Sequence, residues 1–267
     1  MLGHIQRALL VTGASLALVP VLHAQTDWYN TDRGRPLRTE DALVMERHAF
    51  EFHLAPLTFS RTGGVSRWEV EPELSWGVLP RTQLEIGVPL LSEATLAGGA
   101  NVAARGVHVA VLHALNAETL LFPGLAVGVD ATLPAGGRRA EHTHGSVLLV
   151  ATRTARLGRA HVNFAQHIGP RDDLRAERPR WRAGMALDRP IPLRTMLVGA
   201  EVYAQEPLAG GDVRWTTGAG VRWQMAPRMA VDFGAARILS GPERGWAFTF
   251  GHAIEFGLPF LQPTGGF

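Results

Sequence analysis

The sequence predicts an all-β fold: an antiparallel transmembrane β-barrel of roughly 12 strands, of the outer-membrane type. Three observations carry the prediction. Apolar and polar residues alternate with period two through one segment after another. No uninterrupted apolar run of about 18 residues or more follows residue 24, so a spanning helix is not available, whereas strands of about ten residues cross a bilayer at a tilt. The connections between segments are tight at some junctions and long at others, as in barrels with short turns at one end and long loops at the other.

In chain order, "MLGHIQRALLVTGASLALVPVLHA" reads as a signal peptide over residues 1–24. Arg7 supplies the positive charge, Ala8 to Leu22 the apolar core, and Ala24 the small residue at the cleavage site. The run is short and interrupted by Pro20, which argues against a membrane anchor, and with no cysteine following there is no lipid attachment site. Residues 25–43 read as a periplasmic N-terminal segment, 44–258 as the barrel and 259–267 as a C-terminal tail.

The strand signal starts weakly over 44–60 and is strong in "RWEVEPELSWGV" (67–78). There Trp68, Val70, Pro72, Leu74 and Trp76 fall on one side, and Glu69, Glu71, Glu73, Ser75 and Gly77 on the other. "TQLEIGVPL" sets Leu84, Ile86, Val88 and Leu90 against Gln83, Glu85 and Gly87. The next segment, 104–115 within "GVHVAVLHALNAETLLF", is compatible with a strand or a buried helix. "GLAVGVDATL", 145–157, "HVNFAQHI", 180–188, 195–206, "VRWTTGAGVRWQM", 228–239 and "GWAFTFGHAIEFGL" complete the set. Tight links fall at "LPR" near Pro80, "LGR" (157–159) and "APR" (226–228). The links "LSEATLAGGANVA", "PAGGRRAEHTHG" and "GPRDDLRAERPR" are longer and polar.

Alternation alone would also suit a soluble sandwich, which would have to bury a dozen apolar faces and every tryptophan on them. A barrel instead turns the apolar faces to lipid and the acids to a wet lumen. Trp68, Trp76, Trp215, Trp223 and Trp246 then stand near strand ends, where amphipathic rings favour the interface. A net charge of +2 gives no reason to expect nucleic acid as a partner, although the pI is about 9.8. The absence of cysteine excludes disulfides and thiolate metal sites.

"RPLRTEDALV" (35–44), "GVDATLPAGG" (128–137), "AHVNFAQHIG" (160–169) and "GAGVRWQMAPRMAVDFGAAR" (218–237) resemble, in order, a bacterial outer-membrane family. Its members are described as transporters of the meta-pathway of phenol degradation. Ala135 stands where that family's turn usually carries threonine. "TFGHAIEF" (249–256) is similar to a terminal signal read by the barrel assembly machinery, with Thr249, Gly251, Ile254 and Phe256 as its elements. The resemblance implies export to the bacterial outer membrane, contact with its lipid, and passage of small solutes, hydrophobic or aromatic ones among them.

The candidate lumen-lining residues are Glu51, Glu69, Glu71, Glu73 and Glu85 on the early strands. Arg159, His161, Asn163, Arg182, Glu201, Arg214 and Arg222 are their counterparts on the later ones. Two arrangements remain open. An acidic wall facing a basic wall would orient dipolar solutes across an open lumen. Alternatively, the charges pair and fill a narrow one. No catalytic residue, metal site or cofactor is expected, because no phosphate loop or sufficient ligand set is present in sequence. Passive passage of small solutes is the leading expectation. A closed barrel with a structural or surface-hydrolase role is the alternative, with Ser146, His144, Asp172 and Asp173 as the residue types a hydrolase would use.

Overall fold

A computed structural model of the chain describes residues 30–32, 35–62, 65–95, 100–134, 142–170, 179–191, 195–207, 211–240 and 244–258. The expected signal peptide and C-terminal tail lie outside the described residues. The strand segments are β1 (Ala49–Thr62), β2 (Val65–Leu79), β3 (Thr82–Gly87), β4 (Leu90–Thr95), β5 (Ala100–Ala104), β6 (Val107–Asn116) and β7 (Gly124–Leu133). They continue as β8 (His144–Ala155), β9 (Gly158–Ile168), β10 (Arg180–Ile191), β11 (Met196–Pro207), β12 (Arg214–Ala226), β13 (Met229–Ile238) and β14 (Gly245–Gly257). No helix occurs among the described residues; the segment left open between strand and helix is β6.

Fourteen segments make twelve barrel strands. β2 pairs with β3 through Glu73–Leu79 and with β4 through Val65–Val70, so β3 and β4 are halves of one strand. The break falls at Val88–Pro89, where proline has no N–H to give the ladder. β5 pairs with β4 and β6 with β3. Their break falls at Arg105–Gly106, with Gly106 at φ +127°, a conformation that favours glycine. β1 pairs with both β2 and β14, which closes the sheet.

Period two now has a physical meaning. On β14, Trp246, Phe248 and Phe250 are exposed to the outside while Glu255 is buried inside. On β1, Phe52 and Leu54 face out, while Glu51 and His53 face in and are buried. The exterior is an apolar band. Trp68, Trp181, Trp215 and Trp246 stand near one end of the strands, Trp76 and Trp223 near the other. The eight steps from Trp68 to Trp76 span about 26 Å along the strand and about 20 Å after a tilt near 40°, which is of the order of a lipid-facing band. At the second end Phe50 stacks between Trp76 and Phe256, with ring centroids 5.5 Å away on each side.

That second end carries the tight turns at 80–81, 156–157 and 227–228, with Arg81 at φ 59° in the first. β1 begins there and β14 ends there. The expected first strand, 44–60, is displaced: β1 starts at Ala49. The described part of 25–43 lies inside, because its backbone donors find their acceptors on inward-facing side chains.

Candidate functional site

Residues 30–32 and 35–48, the inner segment, circle the barrel wall near its short-turn end. Followed backwards from β1, His48 N–H donates to Gly77 O on β2 (2.8 Å) and Met45 N–H to Gln83 on β3 (2.8 Å). Ala42 packs with Leu112, Ala126, Leu148, Val150 and Ala165, a small apolar core inside the barrel formed with β6 to β9. Its N–H donates to Thr152 Oγ1 on β8 (2.8 Å). Glu40 exchanges two hydrogen bonds of 2.8 Å with the Asn163 amide on β9, one through its N–H and one through its carbonyl. On β11, Glu201 accepts from Arg38 N–H (2.9 Å), Thr39 N–H (2.8 Å) and the Thr39 hydroxyl (2.9 Å). A segment with no ladder of its own thus satisfies its backbone on side chains, as buried backbone must.

Three neighbouring strands make room for it. Gly199, Gly220 and Gly234 are cross-strand partners on β11, β12 and β13, forming one inward-facing row. A Cβ at Gly199 would stand 2.8 Å from Leu37, one at Gly220 2.6 Å from Pro36, and one at Gly234 2.4 Å from the Pro36 carbonyl. Pro36 and Leu37 occupy the space those side chains would fill. The segment then closes on itself, with Asp41 N–H donating to Thr31 O (3.1 Å) and Thr31 N–H to Asp41 Oδ2 (2.9 Å).

Two arginines of the later strands, Arg159 and Arg222, are engaged at this level. Arg159 holds Asp188 through Nε (2.9 Å) and an Nη (2.7 Å) and stands 3.4 Å from Asp41 of the inner segment. His161 completes a chain of donors: Thr152, already an acceptor from Ala42, turns its hydroxyl to His161 Nδ1 (3.0 Å), leaving Nε2–H for Asp188 (3.0 Å). Arg222 pairs with Asp232 (2.6 Å) and Asp32 (3.2 Å) and donates to the carbonyls of Asn30 and Arg35. Arg222 and Asp232 are each only 1% exposed, which is tolerable only because the charges are paired and hydrogen-bonded. Burial pushes the Asp41 carboxyl up to about 6, against the opposing pull of Arg159 and His161.

The acids of the early strands are more open. Glu69 pairs with Arg105 (3.0 Å) and stays 34% exposed. Glu71 meets His108 on β6 (2.7 Å) and Glu73 meets His53 on β1 (3.2 Å). Glu85 accepts from Gln83 (2.7 Å). Glu51 lies 2.5 Å from His53 and 3.6 Å from Arg35 of the inner segment. Arg182 is buried on β10, and Arg214 donates through Nε to the Gln205 side chain (3.0 Å).

The structure thus brings Arg159 and His161 into one network beneath the inner segment, with Asn163, Glu201 and Arg222 as further anchors. The glutamates of β2 form a second group, joined to it through Glu51 and Arg35. On β14, Thr249 and Gly251 face in, while Ile254 and Phe256 face out. Sequence reasoning missed the inner segment, His53 and His108. The two histidines were available to it: His53 shares parity with Glu51, and His108 is opposite in parity to Val109 and Val111. The hydroxyl of Ser146 donates to Asp130.

No family model matches the sequence, and no curated protein matches it either. The fold has solved counterparts. An outer membrane channel from Pseudomonas putida F1 is 10% identical with a TM-score of 0.57, covering 81% of this chain and 98% of that one. NanC porin is 8% identical with a TM-score of 0.52, covering 77% and 98%. KdgM porin is 9% identical with a TM-score of 0.51, covering 78% and 99%. At such identities the likeness is one of fold: this chain is built like outer-membrane porins and channels.

Proposed function

We propose that this protein is a passive channel of the bacterial outer membrane. Small solutes cross a lumen narrowed at its short-turn, periplasmic end by the inner segment. The observation that carries this reading is the pairing of an apolar, tryptophan-flanked exterior with a charged interior, on which residues 30–48 are seated by their own backbone. Such an interior favours small polar or charged solutes over the hydrophobic or aromatic ones implied by the family resemblance. The same reading places signal cleavage after Ala24, so that Gln25 leads into the inner segment, and gives Thr249, Gly251, Ile254 and Phe256 to recognition by the assembly machinery.

Planar-bilayer recordings test the channel directly. The full mature protein should show discrete steps of small conductance, and a variant lacking residues 30–45 should show steps several-fold larger. Silence from both folded proteins would sink the channel reading in favour of a closed structural barrel. Equal conductance would show that the inner segment is not the narrow point.

A further inference from the structure

The early-strand glutamates do more than neutralise one another. Glu71, Glu73 and His108 present one ligand atom each, all within 4.8 Å of one another. His108 Nδ1 lies 2.7 Å from Glu71 and 4.0 Å from Glu73. From the opposite side His53, whose side chain is 3% exposed, points Nδ1 at Glu73 from 3.2 Å without a hydrogen-bond partner there. Two imidazoles therefore converge through the same ring nitrogen on two carboxylates.

We propose that His53, Glu71, Glu73 and His108 form a binding site for one divalent transition-metal ion of the zinc class on the lumen wall. Two neutral imidazoles and two carboxylates are a donor set suited to such an ion. Ligand atoms around a tetrahedral zinc are about 3.4 Å apart, given bonds near 2.0–2.2 Å, so Glu71, Glu73 and His108 need only small adjustments, and His53 must move inward past Glu73 to complete the set. The backing matches too. His53 Nε2 faces Glu51 at 2.5 Å and His108 Nε2 stands 3.9 Å from Asp130, the outer carboxylates that orient metal-bound histidines.

Gly87 supplies an independent indication that the pocket is shaped. A Cβ there would fall 2.7 Å from Glu71 Oε1 and 3.1 Å from its Cγ, so the bare backbone of β3 is what lets Glu71 lie across to His108. The site is also coupled to the inner segment. Arg35 approaches His53 Nε2, the atom that also faces Glu51, at 3.0 Å. A metal on Nδ1 puts the proton on Nε2 and turns it to Glu51, so metal and Arg35 compete for His53. None of this depends on whether the lumen conducts.

Titration calorimetry with Zn2+ on the chelator-washed, refolded full-length barrel at pH 7.5 tests the assignment, with heat-modifiable mobility confirming the fold of each variant. The expected result is one ion per chain. Binding should weaken at least tenfold in Glu71→Gln and in His108→Ala, and also in Gly87→Ser, which removes no donor but crowds Glu71. His142→Ala, in an exposed loop, should bind as the parent does. Co2+ loaded in place of Zn2+ should give a visible absorption band that shifts in His53→Ala. The proposal is overturned by binding below one ion per chain, or by unchanged affinity in Glu71→Gln and His108→Ala. The four side chains are then only an ion-paired cluster.

Discussion

The two sides of the barrel interior solve the same problem differently. On β9 to β13, Arg159 and Arg222 are locked to Asp188 and Asp232 and covered by the inner segment. On β2, Glu69 and Glu71 stay 34% and 21% exposed and lean on Arg105 and His108. One side is a finished structural joint; the other is a set of groups whose partners can change. Among the described residues the pairing is local on both sides. Inside a barrel, charge that holds the chain together is charge removed from the solute's view, and selectivity falls to whatever remains wet.

Three measurements probe this contrast. The largest effect should come from Asp232→Ala, which strands Arg222 with its other partners only. Breaking one half of a buried pair costs about 3–5 kcal/mol, so the urea midpoint should fall sharply. A loss under about 1 kcal/mol would mean that Asp32 and the carbonyls suffice. A smaller change in stability but a larger one in selectivity should follow from changing Glu69, Glu71 and Glu73 together to glutamine. The urea midpoint should move far less than in Asp232→Ala, while the reversal potential at low salt shifts towards anions. If the triple change unfolds the barrel instead, the two sides are alike after all.

The smallest effect concerns Asp41. Its folded value of about 6 is raised from the ordinary 3.8, so its protonation supports the closed inner segment fully below pH 3.8, and that support is lost as pH rises through about 6. Hydrogen exchange at the Thr31 and Leu43 amides, both donors to Asp41, should therefore quicken beyond its intrinsic pH dependence between pH 5 and 7. A flat corrected profile would show that Arg159, His161, Asp32 and Asp188 around it cancel the effect.

The exterior was legible in sequence because lipid asks every strand for the same thing. A single period sufficed to indicate roughly twelve strands and the tryptophans at Trp68, Trp76, Trp215, Trp223 and Trp246, although β4 and β5 fall in "LSEATLAGGANVA", which reads as a link. The interior was legible only as a set of inward side chains, not as an arrangement. Val44 and Met45 are apolar and seemed to begin a strand, but Val44 packs against the core inside the barrel and Met45 is buried on β3. Glu40 and Asn163 are 123 positions apart, and nothing periodic links them. His53, Glu71 and His108 come from three strands, so no spacing could announce them. Only closure of the barrel puts them together.

The glycine row of β11, β12 and β13 has a mechanical consequence. A strand gains stiffness from side chains that pack against their neighbours, and three adjacent positions here have none. The stiffness is lent by Pro36 and Leu37, which press on the row from within. Lifting the inner segment would therefore do more than widen a pipe. It would leave a pliable panel in an otherwise rigid wall, free to flatten or bow. A barrel stripped of residues 30–45 should behave as an elastic tube whose cross-section fluctuates, with noisy rather than merely larger currents.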